Sequence, residues 1–392
     1  MISLVIFILI LSFLVLIHEF GHFMVAKRNG ILVEEFGLGI PPRVFGKKFG
    51  DTIYSINLFP FGGFVRLKGE DSNEITSQDL SDTSNFVSKT AWQRMAVISA
   101  GVIMNMLFGV IIFYLFLGLN GFKSKEIPLL FPYEFRFGNV EKSNTVIFGL
   151  DENSPLLNAD FPVALGDTLV SIEGEAVNSL YDVRRLVEDK AGQEISVVIK
   201  PASPDTLTSS KESLKDDLVE LKVYPFVDSE DPKNPARLGV YLGSVAQIHY
   251  DTPLQKATAG FTHSYNILSY TISTMKNIVG FSIEERTAEP LAETVSGPVG
   301  IYSIVSKILS FSRKEALINL LDLMGQISVS LAFLNILPLP ALDGGRIFFI
   351  IVELVTKKRV NPNFEARVHQ FGMAALLGLL VVVTIRDLGR VF

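Results

Sequence analysis

The chain has 392 residues, a formal net charge of −6 and 48% hydrophobic residues, among them 30 phenylalanines. This apolar excess is high for a soluble protein and favours a membrane protein with a substantial soluble portion. The negative net charge gives no argument for binding nucleic acid. Because the chain contains no cysteine, disulfides and thiolate metal sites are excluded, and a transition metal would need His, Asp or Glu ligands.

Four uncharged runs are long enough, or nearly so, to cross about 30 Å of hydrocarbon. They are residues 1–17, extended by the following motif to about Ala26, and residues 95–122, 323–342 and 368–385. A fifth uncharged run, 257–275, is rich in Ser, Thr, Asn and His, but its apolar residues recur on one stripe. This pattern predicts a helix that lies in the membrane interface and does not span it. His263 lies off the stripe and is predicted to be solvated.

The first run ends in the motif His18-Glu19-Phe20-Gly21-His22. In a helix, His18 and His22 lie one above the other, so their imidazoles can bind one ion with Glu19 beside them as a base. Ionisable groups are costly inside a bilayer, and this favours the metal site over a chance match. The other alternative is a signal peptide, which needs a basic start and a small-residue cleavage site. Residues 1–17 contain no Lys or Arg, and no such cleavage site follows.

Zinc catalysis with two His ligands requires a third protein ligand and one open position. Asp343 is the candidate, because it follows the third apolar run just as the His motif follows the first. If 257–275 does not cross the membrane, the first and third spans run in the same direction. Asp343 then reaches the same membrane face as His18 and His22, whereas a fifth crossing would leave it on the opposite face. The metal site and the apolar stripe therefore independently predict four crossings.

Pro338 and Pro340 predict a break in the helix just before Asp343, and freed backbone at membrane depth is tolerated where it lines a cavity. The alternative is a kinked helix end with Asp343 as its solvated cap. Asn335 lies eight residues earlier, about two helical turns, and so on a similar face. It is predicted to hydrogen-bond either a substrate backbone or a neighbouring helix.

Short apolar strands are predicted at Ile31–Leu38, Thr52–Leu58 and Gly63–Leu67. They form either a small hairpin with a packing role or an edge strand that pairs with an extended substrate. In the second apolar run, small residues at 101 and 109 predict close helix approach, and Asn105 predicts an interhelical hydrogen bond. Residues 140–226 read as one soluble β-rich domain with a polar insertion at Ser203–Asp217.

The chain resembles the site-2 proteases, most closely the bacterial RseP/RasP-type regulated intramembrane zinc proteases. The matching segments are HEFGH at 18–22, FGLGIPPR and FPFGGFVRLKGED within 36–71, WQRMAVISAGVIMN at 92–105, a PDZ-like stretch at 154–186, SGPVGI at 296–301 and NILPLPALDGGRIFF at 335–349. The resemblance implies a Zn²⁺ ion bound by His18, His22 and Asp343, with Glu19 as the catalytic base. It also implies that Asn335 contacts the substrate.

The expected architecture is an α-helical membrane protein with four transmembrane helices, a membrane-associated β-hairpin loop and one inserted PDZ-like α+β domain. The predicted division is 1–26 (first span with the His motif), 27–91 (β-loop and polar linker), 92–122 (second span), 123–139 (linker), 140–226 (PDZ-like domain), 227–316 (interfacial amphipathic helices and loops), 317–356 (third span with Asp343) and 357–392 (fourth span and C-terminus).

The predicted function is hydrolysis of a peptide bond within or near the transmembrane segment of single-pass membrane proteins, such as anti-sigma factors or signal-peptide remnants. One alternative is an inactive PDZ-bearing membrane scaffold with a structural metal site, and another is a metal-dependent hydrolase of lipid or prenyl substrates. Besides these substrates, the lipid bilayer is the expected partner, and nucleic acid is not one. Lys and Arg are nearly balanced between the two sides of the spans, so charge does not encode orientation. The resemblance implies the bacterial inner membrane, with the active site toward the cytoplasm and the PDZ-like domain outside it.

Overall fold

The computed structural model describes residues 2–70, 81–201, 218–227, 236–284, 286 and 297–391. The chain forms two compact units, one made of Met1–Phe122 and Thr252–Phe392 and the other of Lys123–Asp251. Residues 71–80 of the predicted polar linker and the predicted insertion Ser203–Asp217 lie outside the described residues.

The described residues form both long apolar helices and shorter ones. In chain order they are α1 (Ile2–Arg28), α2 (Ala91–Leu119), α3 (Leu180–Val187), α4 (Pro253–Glu284), α5 (Pro298–Ile308), α6 (Arg313–Ile336), α7 (Asp343–Thr356) and α8 (Pro362–Val391). Of these, α1, α2, α6 and α8 are long and apolar enough to cross a membrane. The prediction of four spans is confirmed at this level, and the 257–275 run lies in α4, which does not qualify as a span.

Helix α2 is the centre of the first unit and packs against α1 and α6. It begins with a capping box, in which the Thr90 and Gln93 side chains each bond the other's backbone N–H. A β-carbon at Gly109 would lie 2.6 Å from Cγ2 of Val329 on α6, so only glycine permits this approach. On the other side, a β-carbon at Gly21 of α1 would overlap a backbone carbonyl of α2. Small residues therefore allow α1 and α6 to pack closely against α2, as predicted from positions 101 and 109.

Strands β1 (Val33–Phe49) and β2 (Thr52–Leu67) form a two-stranded sheet that is bent back on itself. Phe36, for example, is paired with both Tyr54 and Val65, so the start of β1 lies between two segments of β2. The strand predicted over 31–38 instead continues to Phe49. Residues 63–67 have β1 as their only strand partner in the described part of the sheet and therefore form one edge.

The third apolar run is not one helix to Asp343. Helix α6 starts at Arg313, ten residues before the predicted run, and ends at Ile336. Pro338 and Pro340 then interrupt the helical hydrogen bonds, and Asp343 is the first residue of a separate helix, α7. The predicted span 317–356 thus contains two helices joined by an irregular segment. The Asp343 side chain is only 19% exposed, so it is not a solvated cap.

Helix α4 has its polar side against the protein. Its predicted apolar stripe is exposed at Phe261 and Tyr265, whereas Ser264 and Asn266 are buried. His263 is 1% exposed and lies edge-on against Phe113, with ring centroids 4.8 Å apart. The prediction that His263 is solvated is wrong, because the outward face of this helix is the apolar one. An interfacial location of α4 stays a prediction.

The second unit is a seven-stranded sheet with α3. Its strands are β3 (Ile127–Leu129), β4 (Asn139–Leu150), β5 (Thr168–Ile172), β6 (Glu175–Ala176), β7 (Ile195–Lys200), β8 (Val219–Val223) and β9 (Val240–His249). The order is β3-β9-β4-β5-β7-β8, with β6 paired to β5. Because β9 pairs with both β4 and β3, the unit begins before the predicted domain 140–226 and ends after it.

Candidate metal centre

The structure brings His18, His22 and Asp343 together. The Nε2 atoms of the two histidines lie 3.0 Å and 3.3 Å from Oδ2 of Asp343 and 3.1 Å from each other. The histidine residues are 8% exposed. The two imidazoles project from successive turns of α1, and the carboxylate projects from the first turn of α7. One metal ion can therefore reach a ligand atom of each side chain.

The hydrogen bonds around these side chains fit a cation. Nδ1 of His22 lies 2.9 Å from the carbonyl oxygen of Val97. A carbonyl can only accept, so Nδ1 carries the proton and Nε2 presents a lone pair. Oδ2 of Asp343 is buried and has no hydrogen-bond partner in the described residues. Lone pairs thus converge on one point, and their spacing matches the edge of about 3.3 Å expected for a tetrahedral zinc site.

Space for the ion comes from Gly101 on α2. A β-carbon at this position would lie 2.7 Å from Cε1 of His18 and would also overlap the His22 ring. The glycine predicted to permit helix packing therefore also leaves room for the two imidazoles of α1.

Asn105, one turn further along α2, supports the first imidazole. It is 1% exposed, and its side-chain nitrogen Nδ2 lies 3.4 Å from Nδ1 of His18. If Nε2 of His18 binds a metal, Nδ1 carries the proton, and the amide must then turn so that its oxygen Oδ1 accepts that proton. In the described residues Oδ1 has no hydrogen-bond partner. The interhelical hydrogen bond predicted for Asn105 is confirmed, and its partner is the imidazole of the motif.

Replacing Asn105 with Leu should weaken metal binding by about 10–100-fold, the usual cost of removing an outer-shell partner. Asn105→Asp, which keeps an acceptor, should lose much less. Competition with a chromophoric chelator measures both values. Equal affinities for Asn105→Leu and the wild type would show that the amide does not orient His18.

Glu19 is adjacent to His18 in the sequence and is held by the β-sheet. Its Oε2 accepts a hydrogen bond of 3.1 Å from the backbone N–H of Val65. Because residues 63–67 are an edge of the sheet, this N–H points away from β1 and toward α1. The carboxylate therefore lies between α1, which carries the two clustered histidines, and the sheet edge, a relation that the sequence did not reveal.

Asn335 lies in the last turn of α6, half-buried. Its amide forms no hydrogen bond with the described residues, and it is not part of the cluster of three possible metal ligands found among them. His369 of α8, by contrast, accepts a hydrogen bond of 2.9 Å from the backbone of Ala341, two residues before Asp343. It was not singled out from the sequence, although a histidine in an apolar run is the kind of signal that marks functional sites.

Comparisons with known proteins agree with this geometry. The model of peptidase family M50 matches residues 6–379. A protein of Clostridium perfringens described as a zinc metalloprotease is 32% identical over 97% of both chains. The regulator of sigma-W protease RasP of Bacillus subtilis is 27% identical, and the zinc metalloprotease RasP of Bacillus licheniformis 26% identical, each over 98% of both chains. The resemblance stated from the motifs is confirmed: the chain belongs to peptidase family M50, the site-2 proteases, and is an integral membrane zinc metalloprotease.

Proposed function

We propose that this protein hydrolyses a peptide bond within or near the transmembrane segment of single-pass membrane proteins. The observation that carries the proposal is the sheet edge at residues 63–67, whose Val65 N–H bonds the carboxylate next to the metal-binding histidines. A polypeptide that adds to this edge as a strand would be extended beside the metal centre. Lipid or prenyl substrates have no backbone with which to pair.

The proposed site consists of His18, His22 and Asp343 as zinc ligands, Glu19 as the base and Asn335 as a substrate contact. When held by these three residues, a zinc ion would supply Lewis-acid activation of a water molecule and of the substrate carbonyl. Glu19 takes a proton from the attacking water and returns it to the leaving amine. Asn335 has a free amide in the described residues, and it can bond the backbone of the extended substrate.

The second unit is proposed to be a PDZ-like domain that screens access of substrates. A groove of about 540 Å³ runs between α3 and the start of β9, lined by Leu180, Val183, Val187 and Tyr241 among others. Its walls combine apolar side chains with Arg184 and Glu188, a mixture that suits a peptide. We place the protein in the bacterial inner membrane, with the metal centre toward the cytoplasm and this unit outside it. The sheet of β1 and β2 is proposed to dip into the membrane, since Phe45, Phe49 and Phe59 are exposed.

Cleavage of a single-pass substrate in proteoliposomes tests the proposal. A transmembrane helix must unwind locally before its backbone can pair with a sheet edge. The free-energy cost of unwinding is lower where the helix contains Pro, by up to about 3 kcal/mol, or Gly, by about 1 kcal/mol. A substrate with a Gly-Pro pair in its span should therefore be cleaved at least several-fold faster than one with Leu-Leu. Mass spectrometry of the products locates the bond.

The matched control is His18→Ala, which removes one proposed ligand. We expect no product from this variant with either substrate. Specific binding of substrates without any hydrolysis by the zinc-loaded wild type would instead favour a scaffold with a structural metal site.

A further inference from the structure

Helix α8 uses two of its few polar side chains to hold backbone N–H groups of other elements. Nδ1 of His369 accepts from the N–H of Ala341 at 2.9 Å. Oδ2 of Asp387, which is 4% exposed, accepts from Gly297 and Gly300 at the start of α5, at 2.8 Å and 2.9 Å. His369 and Asp387 are eighteen positions apart, which makes five helical turns, so both side chains lie on one face, about 27 Å apart.

The His369 contact lies in the irregular segment 337–342 that delivers Asp343. Pro338 and Pro340 lack N–H groups, so this segment has few donors of its own. Ala341 has a φ of +72°, in the left-handed region that L side chains rarely adopt. Such a conformation persists only where the surroundings hold it. The Ala341 N–H donates to the imidazole of His369.

Close packing reinforces this hydrogen bond. Gly372 lies one turn beyond His369 on α8, and a β-carbon there would overlap the ring of Pro340. On the other side, a β-carbon at Gly345 would lie 3.2 Å from Cε1 of His369. The segment before Asp343 and the start of α7 are therefore both seated directly against this face of α8.

His369 itself is not placed to bind the ion. Its Nδ1 accepts a hydrogen bond, so the proton is on Nε2, and this nitrogen is buried without a hydrogen-bond partner in the described residues. A ring protonated at one nitrogen and engaged as an acceptor at the other has no lone pair left for a metal. Any effect of His369 on the metal centre must pass through its contacts with Ala341 and with Gly345, which flank Asp343.

We propose that His369 is a positioning residue: by holding Ala341 in its left-handed conformation, it fixes the Asp343 carboxylate opposite His18 and His22. The inference rests on the proposed ligand role of Asp343. The fourth span thereby contributes to the metal centre without supplying a ligand.

The geometry of the acceptor gives a sharp test. Asn places its Oδ1 near the position of the histidine Nδ1, whereas the carbonyl of Gln reaches further and Leu has no acceptor. In the full-length protein, His369→Leu and His369→Gln should lower zinc affinity by about 10–100-fold, as loss of outer-shell partners does. His369→Asn should stay within about 3-fold of the wild type. The visible absorption of the Co²⁺-loaded forms should change in the same two variants and remain in the Asn variant.

Two controls keep the outcomes distinct. Phe371, 77% exposed on α8, should tolerate Phe371→Leu with unchanged affinity. Asp343→Ala is the reference for loss of the ligand. If Asp343→Ala loses zinc while His369→Leu and His369→Gln bind it normally, or if His369→Asn loses as much as His369→Leu, the positioning role is overturned. If Asp343→Ala itself binds zinc as the wild type does, the proposed ligand set fails first and the inference falls with it. Should His369→Leu not fold, the comparison of the Gln and Asn variants decides.

Discussion

Replacing Glu19 with Gln is expected to abolish peptide hydrolysis while zinc stays bound. Glu19 is not one of the three converging residues that could hold the ion, and the Gln amide oxygen can still accept the N–H of Val65. Only the ability to take and return a proton is lost. General-base catalysis contributes about 10²–10⁴-fold, so kcat should fall by at least about 100-fold.

The matched control for this variant is Glu34→Gln, which removes an exposed carboxylate from β1. Zinc content by atomic emission and cleavage of a single-pass substrate should be measured on the same preparations. If Glu19→Gln retains normal turnover with a full complement of zinc, Glu19 is not the base, whatever its position beside the sheet edge.

Replacing Gly101 with Ala should remove zinc and activity together. The added methyl group would lie 2.7 Å from Cε1 of His18 and would overlap the His22 ring, so the two imidazoles could not keep their orientation. Zinc affinity should fall at least as much as it does when an outer-shell residue is replaced, which is by about 10–100-fold. Equilibrium dialysis against a zinc buffer measures it.

Gly118→Ala, on the same helix, separates this steric effect from helix propensity. A β-carbon at Gly118 meets no atom within 4 Å, so this variant gains the helix preference of Ala without a clash. It should bind zinc normally. Normal zinc binding by Gly101→Ala as well would mean that α2 does not face the metal-binding side of α1.

The convergence of the first and third apolar runs was predictable because it depends on the number of membrane crossings between them. A histidine pair at i and i+4 marks one helix face, and the parity of crossings decides where Asp343 arrives. The structure places these side chains within 3.3 Å of one another. The extent of the runs was less predictable, since α6 begins ten residues early and α7 is a separate helix. The length of an uncharged run shows which part of a helix is apolar. It does not show where the helical hydrogen bonds begin or end.

Other features were hidden for physical reasons. The last part of β1 contains Arg43, Lys47 and Lys48 and shows no apolar alternation, because it is held by strand pairing at the outer side of the sheet. The burial of His263 was misjudged because an apolar stripe shows which residues share a face, but not whether that face meets protein or lipid. The contact of His369 with Ala341 depends on backbone conformation in an irregular segment, which no periodicity encodes.

The hydrogen bond between Val65 and Glu19 has a consequence for how the enzyme rests between turnovers. One amide proton serves one strong acceptor at a time, so a substrate strand that paired at residues 63–67, as proposed above, would compete with the Glu19 carboxylate for the same donor. Arrival of the substrate would then release the proposed base in the same event. Without a substrate strand, the Val65 N–H holds the Glu19 carboxylate in place.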